Sequence, residues 1–325
     1  MGTIILGTGS WLPRRVMSNV ELEEMVDTTD EWIRTRTGIE NRRIAGAGEK
    51  TYQLAAKAAR KALATAQLSA EEIELIVVGT ISSHMLMPSC ACYVQHEIGA
   101  VNAQAYDINA ACSGFLYGID IADHHIQARK EAKVLIIGAE AISSRLNWQD
   151  RNTCILFGDG AGAAVFGYSE DARRGVLGSS HGTDGSQWEL LYMHTAPSTN
   201  ADIEVAGNKG AFLVMEGKEI FKFAVKAMEE AVFRVLDDTG VSLADVSLLI
   251  PHQANMRILS KLLERLAVPR EKVFLNVMNY GNTSAASIPI ALDEANRAGR
   301  LKADDTILFC SVGGGLTWGA TLIRW

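Results

Sequence analysis

The sequence predicts an α/β fold of two similar halves, with largely parallel sheets between helix layers. Three observations point there. Short runs rich in Ile, Val and Leu alternate with longer helical patterns along the whole chain. Those runs are apolar on successive residues, as in strands buried on both faces. A small-residue turn, Asn109-Ala110-Ala111-Cys112-Ser113-Gly114, has a counterpart in Gly281-Asn282-Thr283-Ser284-Ala285-Ala286-Ser287.

The first half opens on a strand at Thr3–Leu6, followed by a helix at Thr51–Ala66. Strands at Glu74–Gly79 and Ala105–Ile108 enclose a helix at Ser89–Ile98. The helix Ser113–Ala128 then leads to strands Lys133–Gly138 and Gly162–Phe166. The second half repeats the theme: helix Gly217–Asp237, strand Val246–Ile250, helix Asn255–Leu266 and strand Val273–Val277. Helix Ser287–Ala298 and strands Thr306–Cys310 and Gly319–Arg324 complete it. Polar and basic residues after a finished strand put the boundary near Gly167–Gly175, giving halves of residues 1–170 and 171–325. Ligands of α/β sheets bind at the carboxyl ends of strands. The two turns, distant in sequence, are therefore expected to share one site.

Composition excludes several classes. The chain has 325 residues, which at ~100–200 residues per domain fits two domains or one large duplicated one. Apolar types at 48% and charged types at 21% are those of a packed globular protein, which argues against disorder. A net charge of -7 disfavours a general attraction to nucleic acid or anionic membrane. No apolar run approaches bilayer length; Val134 to Ala139 is among the longest. The start, Met1 to Leu6, has no basic region of a signal peptide, so a cytoplasmic protein with reduced thiols is expected. Cys90 and Cys92 lack the spacing of a zinc pair and no second pair answers them, so no metal site is expected.

Chemistry concentrates at three places. Cys112 ends a strand and opens a helix among small neighbours. A helix N-terminus lowers a thiol pKa and favours the nucleophilic thiolate. A lone cysteine is more often a packing residue, and Cys90, Cys92, Cys154 and Cys310 keep that reading. His252 stands at the carboxyl end of a strand, where an imidazole donates a hydrogen bond or moves a proton near neutral pH. Asn282 lies in the duplicated turn, and its carboxamide can orient an imidazole or donate to a carbonyl oxygen; ordinary turn chemistry explains it equally well. The glycine stretch Val312 to Gly319 lets backbone approach a ligand closely. Gly158 to Gly162 reads as a tight turn, since it precedes a strand and does not link strand to helix. Arg257, Lys261 and Arg265 recur every four residues on one helix, and Lys218, Lys222 and Lys226 on another. Such trios are usually solvated faces, but beside His252 they suggest an acidic partner.

Five segments together resemble β-ketoacyl-acyl carrier protein synthase III, a thiolase-like condensing enzyme family. They are Asp30 to Ile39, Asp107 to Phe115, Pro251-His252-Gln253-Ala254-Asn255, Gly281 to Ser287 and Gly313-Gly314-Gly315. The resemblance runs from end to end. It implies a duplicated thiolase-like fold, a homodimer, and the first condensation of type II fatty acid synthesis without metal or redox cofactor. It implies that Cys112 takes an acyl group from acyl-coenzyme A, with His252 and Asn282 completing a Cys-His-Asn triad. The amides of Cys112 and Gly314 would hold the oxyanion. Trp32 and Arg151 would sandwich the adenine, with Arg36 nearby and Asn255 on the pantetheine arm. Met87, Phe157 and Val312 would line the acyl pocket. Gln253, Ala254, Asn255, Met256, Arg257, Lys222, Lys261 and Arg265 would dock malonyl-acyl carrier protein. Many relatives carry aromatic residues in place of Met87 and Val312, so primers longer than acetyl are expected to be tolerated. A condensing enzyme of secondary metabolism with another acceptor is the alternative within the superfamily. A papain-like hydrolase or a non-catalytic scaffold ranks far below.

Overall fold

The computed structural model describes residues 2–171, 173–195 and 212–325. One sheet contains β1 (Gly2–Trp11), β2 (Leu75–Gly79), β3 (Gln104–Ile108), β4 (Val134–Glu140) and β5 (Gly160–Ser169), in the order β1-β5-β4-β2-β3. The other contains β6 (Gly175–Thr183), β7 (Leu248–Pro251), β8 (Thr306–Gly313) and β9 (Thr317–Arg324), in the order β7-β8-β9-β6. The helices that matter for the site are α1 (Asp30–Thr37), α2 (Thr51–Ala66), α3 (Cys90–Ile98) and α4 (Gly114–Ala128) in the first half. Those of the second are α5 (Gly217–Thr239), α6 (Met256–Leu266) and α7 (Ser287–Arg297).

The hydrophobic clusters give the layering. Phe115 and Ile119 of α4 and Ile288 and Leu292 of α7 are buried with Val77 and Ile136 of one sheet and Ile250 and Phe309 of the other. These two helices therefore lie between the sheets. Leu54 and Ala58 of α2 and Val94 of α3 cover the outer face of the first sheet. Met228 and Val232 of α5 and Ile258 and Leu262 of α6 cover the outer face of the second. The result is five layers, helices alternating with sheets.

The sheets are mixed, a correction to the largely parallel pairing expected from sequence. β2 pairs in parallel with β3 and β4, and β7 with β8. The β1–β5, β4–β5, β8–β9 and β9–β6 pairs are antiparallel. A continuous apolar run reports burial on two faces and says nothing of neighbour direction. Val273–Val277 is not a strand. Only Val273 bridges β7, at Leu249 and in parallel. The amides of Asn276 and Val277 donate instead to Oε1 of the buried Gln253, at 3.0 and 3.2 Å, and a helical turn begins at Val277. With that bridge standing for a fifth strand, the second sheet reproduces the order and directions of the first. The duplication is thus explicit in the topology.

Candidate active site

Both turns are built alike. Cys112 lies in a tight turn, Ala111–Ser113, that runs into α4, and Ser284–Ala286 runs into α7 in the same way. Ala111 and Ser284 occupy the left-handed region, with φ of 45° and 50°. Asn109 Oδ1 accepts the Ala111 amide at 3.4 Å, and Asn282 Oδ1 accepts the Ser284 amide at 2.8 Å. Each asparagine caps its own turn, the chemistry expected of Asn in tight turns.

The second half holds the Cys112 turn in place. Thr317 Oγ1 donates to the Ala110 carbonyl at 2.8 Å, and Ser311 Oγ donates to the Cys112 carbonyl at 3.0 Å. Gly313 passes so close that a Cβ there would stand 2.7 Å from the Cys112 amide nitrogen. Only a bare backbone fits.

Cys112, His252, Asn282, Gly314, Val312 and Phe157 line one cavity of about 1750 Å³. The amide of Asn282 donates to the Leu156 carbonyl at 2.8 Å, and its carbonyl accepts from Gly158 at 3.0 Å, which fixes Phe157 beside it. With Oδ1 committed to Ser284, the Nδ2 hydrogens are the part of Asn282 left for a ligand.

His252 is buried, and burial pushes its pKa down to about 3, so the ring is neutral. Its amide donates to the Cys310 carbonyl at 2.7 Å. Nδ1 lies 2.7 Å from Ser287 Oγ, which also accepts the Gln253 amide at 3.3 Å. Among the described residues the Ser287 hydroxyl has no other acceptor, so its proton is assigned to Nδ1 and the ring hydrogen to Nε2. His252 is thereby a donor toward the cavity. Ser287, missed in the sequence, was visible there only as the last serine of the duplicated turn.

The Cys112 thiol departs from expectation. A helix N-terminus predicts a lowered pKa, but burial pushes this thiol up to about 12. The Ser284 hydroxyl and the residue's own amide pull it down, and the nearby Glu140 adds to the rise. Desolvation of a buried sulfur outweighs a partial helix charge. Cys90, Cys154 and Cys310 are buried and also raised, in keeping with a packing role. Cys92 is exposed.

At the cavity mouth, α1 presents Trp32 and Arg36. The Arg151 guanidinium stacks 4.8 Å from the Trp32 ring centroid and that of Arg36 lies at 5.4 Å. A planar base entering between Trp32 and Arg151 must displace the arginine, which also donates to the Asp27 carbonyl at 2.7 Å. Asn255 lines the cavity and caps α6, accepting the Ile258 amide at 3.0 Å. Met87 is 82% exposed and lies outside the cavity, although Met85 and Leu86 line it.

The expected docking surface shrinks. Gln253 is buried, its side chain spent on backbone groups, so it cannot meet a partner protein. Ala254 is buried on the cavity wall. Lys222 pairs with Glu219 and Lys261 with Glu264, at 3.0 and 2.8 Å, and Arg265 with Glu229. Arg257 packs over Phe221 at 5.6 Å and, among the described residues, has no carboxylate partner. It borders a shallow groove with Met256, Lys261 and Arg34. Acidic neighbours on the same helices, plain in the sequence, already signalled that most of the ridge is neutralised.

Among the described residues, no group of three His, Cys, Asp or Glu side chains is placed to hold a metal. None of the described helices is long and apolar enough to cross a membrane.

Residues 106–185 match the family described as 3-Oxoacyl-[acyl-carrier-protein (ACP)] synthase III, and residues 236–325 match its C-terminal part. The chain is 55% identical over 325 residues to the Beta-ketoacyl-[acyl-carrier-protein] synthase III of Desulfotalea psychrophila, covering all of both chains. It is 50% identical over 325 residues to the protein so named from Aquifex aeolicus, again with full coverage. The crystal structure of 3-oxoacyl-[acyl-carrier-protein] synthase III from Aquifex aeolicus VF5 superimposes with a TM-score of 0.93 at 49% identity, covering 100% of each chain. Matches of this extent, over a fold that brings a thiol, an imidazole and a carboxamide into one cavity, have one reading: the chain belongs to the β-ketoacyl-[acyl-carrier-protein] synthase III family.

Proposed function

We propose that Cys112, His252 and Asn282 perform the family's reaction in this chain. The chain is an acyltransferase that condenses acyl-coenzyme A with malonyl-acyl carrier protein and so initiates fatty acid biosynthesis. One observation carries the assignment of roles. A neutral His252 with its hydrogen on Nε2 and an Asn282 with free Nδ2 hydrogens share a cavity with a buried thiol.

The sulfur of Cys112 attacks the thioester carbonyl. The amides of Cys112 and Gly314 receive the oxyanion, and coenzyme A leaves as its thiol with the proton that Cys112 gives up. Malonyl-carrier protein then enters. Its carboxyl bond breaks, carbon dioxide departs, and the electron pair stays behind as an enolate. His252 Nε2 and Asn282 Nδ2 donate to the enolate oxygen. The carbanion forms a bond to the acyl carbon, the Cys112 thioester bond breaks with its electron pair going to sulfur, and the sulfur takes a proton from solvent, giving 3-ketoacyl-carrier protein and the free thiol. Intact mass after mixing with acetyl-coenzyme A should show an acetyl adduct that malonyl-carrier protein clears into the 3-keto product. Free acid released without condensation would favour a hydrolase, and no adduct from any acyl-coenzyme A would leave the family fold without its activity.

Trp32 and Arg36 would bind the adenine end of coenzyme A, with Arg151 swinging off the ring to admit it. Arg257 would be the chief contact for an acidic carrier protein, acting mainly on association rate and salt dependence. The protein would work in the cytoplasm, as two halves divided near residue 170.

A homodimer is supported by apolar exposure along one edge of the first sheet. Leu86 is 95% exposed, and Val101 and Tyr106, beside and within the edge strand β3, are exposed too. Met87 would then reach a partner's acyl pocket. Light scattering should give twice 35.2 kDa. Met87→Phe should lower turnover with butyryl- and hexanoyl-coenzyme A relative to acetyl-coenzyme A. Equal or higher turnover of the long primers in the variant would refute a role for Met87 in primer length.

A further inference from the structure

Glu140 is the last residue of β4 and has no accessible surface. The mechanism above makes no use of it. Four donors surround its carboxylate. Thr80 Oγ1 lies at 3.2 Å, the Ile81 amide at 3.3 Å, and Ser82 Oγ within hydrogen-bond distance. The fourth is Ser284 Oγ, at 3.1 Å, from the other half of the molecule. A buried carboxylate is costly unless its lone pairs are filled in this way.

Ser284 is the residue whose amide caps Asn282 Oδ1, and its hydroxyl is one of the groups that pull the Cys112 thiol down. A hydroxyl has a single proton to give. Glu140 and the sulfur therefore compete for that proton, and the share directed at Glu140 is lost to the sulfur. Glu140 thus touches, through one serine, both the turn that aims Asn282 and the nucleophile itself.

We propose that Glu140 is a positioning residue that clamps the Asn282–Ser284 turn against the nucleophile-bearing half and takes the Ser284 hydroxyl proton that would otherwise stabilise the Cys112 thiolate. This role rests on the assignment of Cys112 and Asn282 above. It has two consequences. Asn282 is held with its donor facing the substrate, and the resting sulfur is kept as a thiol, inert toward stray electrophiles. Burial lifts Glu140 to about 7 against the pull of its donors. The other titratable groups nearby contribute little. Cys90 on α3 is a buried neutral thiol, Asp107 is engaged by the Cys90 and Ala91 amides at 2.7 Å, and His252 is neutral.

Glu140→Gln removes the charge and offers Ser284 an N–H, which frees the hydroxyl proton for the sulfur. The pH midpoint for alkylation of Cys112 by iodoacetamide, followed by peptide mass, should fall by at least about one unit, or about tenfold more thiolate at fixed pH. The kcat for condensation should fall by about 10- to 100-fold, with KM for malonyl-carrier protein little changed. Glu140→Asp keeps the charge but cannot span Ser82 and Ser284 together. With Ser284 released it should lower the alkylation midpoint in the same direction as Glu140→Gln, and kcat should stay low. Should Glu140→Gln not fold, Ser284→Ala cuts the same clamp from the other side and should lower kcat at constant KM. A wild-type alkylation midpoint in Glu140→Gln, or a wild-type kcat in any of the three variants, overturns the proposal. An absent acetyl adduct in the unmodified enzyme would instead sink the condensing assignment, and the alkylation profile would still judge Glu140.

Discussion

Cys112→Ser is expected to form no acetyl adduct with acetyl-coenzyme A and to lose condensation by on the order of 10⁴-fold or more. The pocket is the reason. Burial already pushes the more acidic thiol up to about 12. A hydroxyl in the same enclosure is far harder to ionise, and no neutral base waits beside it. His252 Nδ1 is occupied by Ser287 and Nε2 carries the hydrogen, so the imidazole is set to donate. Intact mass of the variant and wild type, read side by side over time, checks this directly. Cys154→Ser and Cys310→Ser should keep the adduct, since both thiols are buried packing groups. Acetylation of Cys112→Ser at the wild-type rate would remove the nucleophile assignment.

His252→Ala and Asn282→Asp should each lower the condensation rate by ~10²–10³, the usual effect of deleting one donor to a developing oxyanion. Asn282→Asp is the sharper of the two. Its remaining oxygen can still cap the Ser284 amide, so the turn survives while the donor is lost. Acetyl transfer to Cys112 should change far less, because neither donor addresses that step. The double variant should fall well short of the product of the single effects, since both groups serve one oxygen. Stopped-flow acylation and steady-state condensation separate these outcomes. An equal loss in both steps would mean that His252 and Asn282 organise the site without acting on the enolate. The pH response follows from burial. His252 titrates near 3 in the folded protein and at its ordinary 6.5 when unfolded. As pH falls below 6.5 the unfolded chain takes up a proton that the folded protein refuses. Stability should therefore fall with pH between about 6.5 and 3, by at most about 1.4 kcal/mol per pH unit from this residue. Thermal midpoints measured from pH 7 to 5 should drop less steeply in His252→Ala. Catalysis across the neutral range should show no loss from protonation of this imidazole.

Cys112 and Asn282 stood out in the chain because the turns that present them are local. Asn109 to Gly114 and Asn282 to Ser287 announce themselves by small residues, and helix α2 matches its expected limits at both ends. What escaped depends on distant neighbours. Strand direction is set by the partner chosen, so apolar runs could not show that β5 and β9 lie antiparallel to the strands beside them. Val273–Val277 has strand composition, but the side chain of Gln253 satisfies the amides that a ladder would have used. Gln253 itself reads as a surface amide and is in the core. The raised Cys112 thiol reflects depth of burial, which no local pattern records. Glu140 did leave a trace, as an acid closing the apolar run Val134 to Ala139, a place where a charge demands partners.

The pins from Ser311 and Thr317 onto the carbonyls of Cys112 and Ala110 have a consequence for how the enzyme matures. Cys112 lies in the first half, but the hydroxyls that hold its turn arrive only with β8 and β9. During synthesis the reactive sulfur therefore exists well before the scaffold that seats it. Seating of the Cys112 turn waits on β8 and β9. A fragment ending before them would keep the thiol without the seat, and damage to the carboxyl-terminal hairpin would be felt at a residue two hundred positions away, as the span from Cys112 to Ser311 shows.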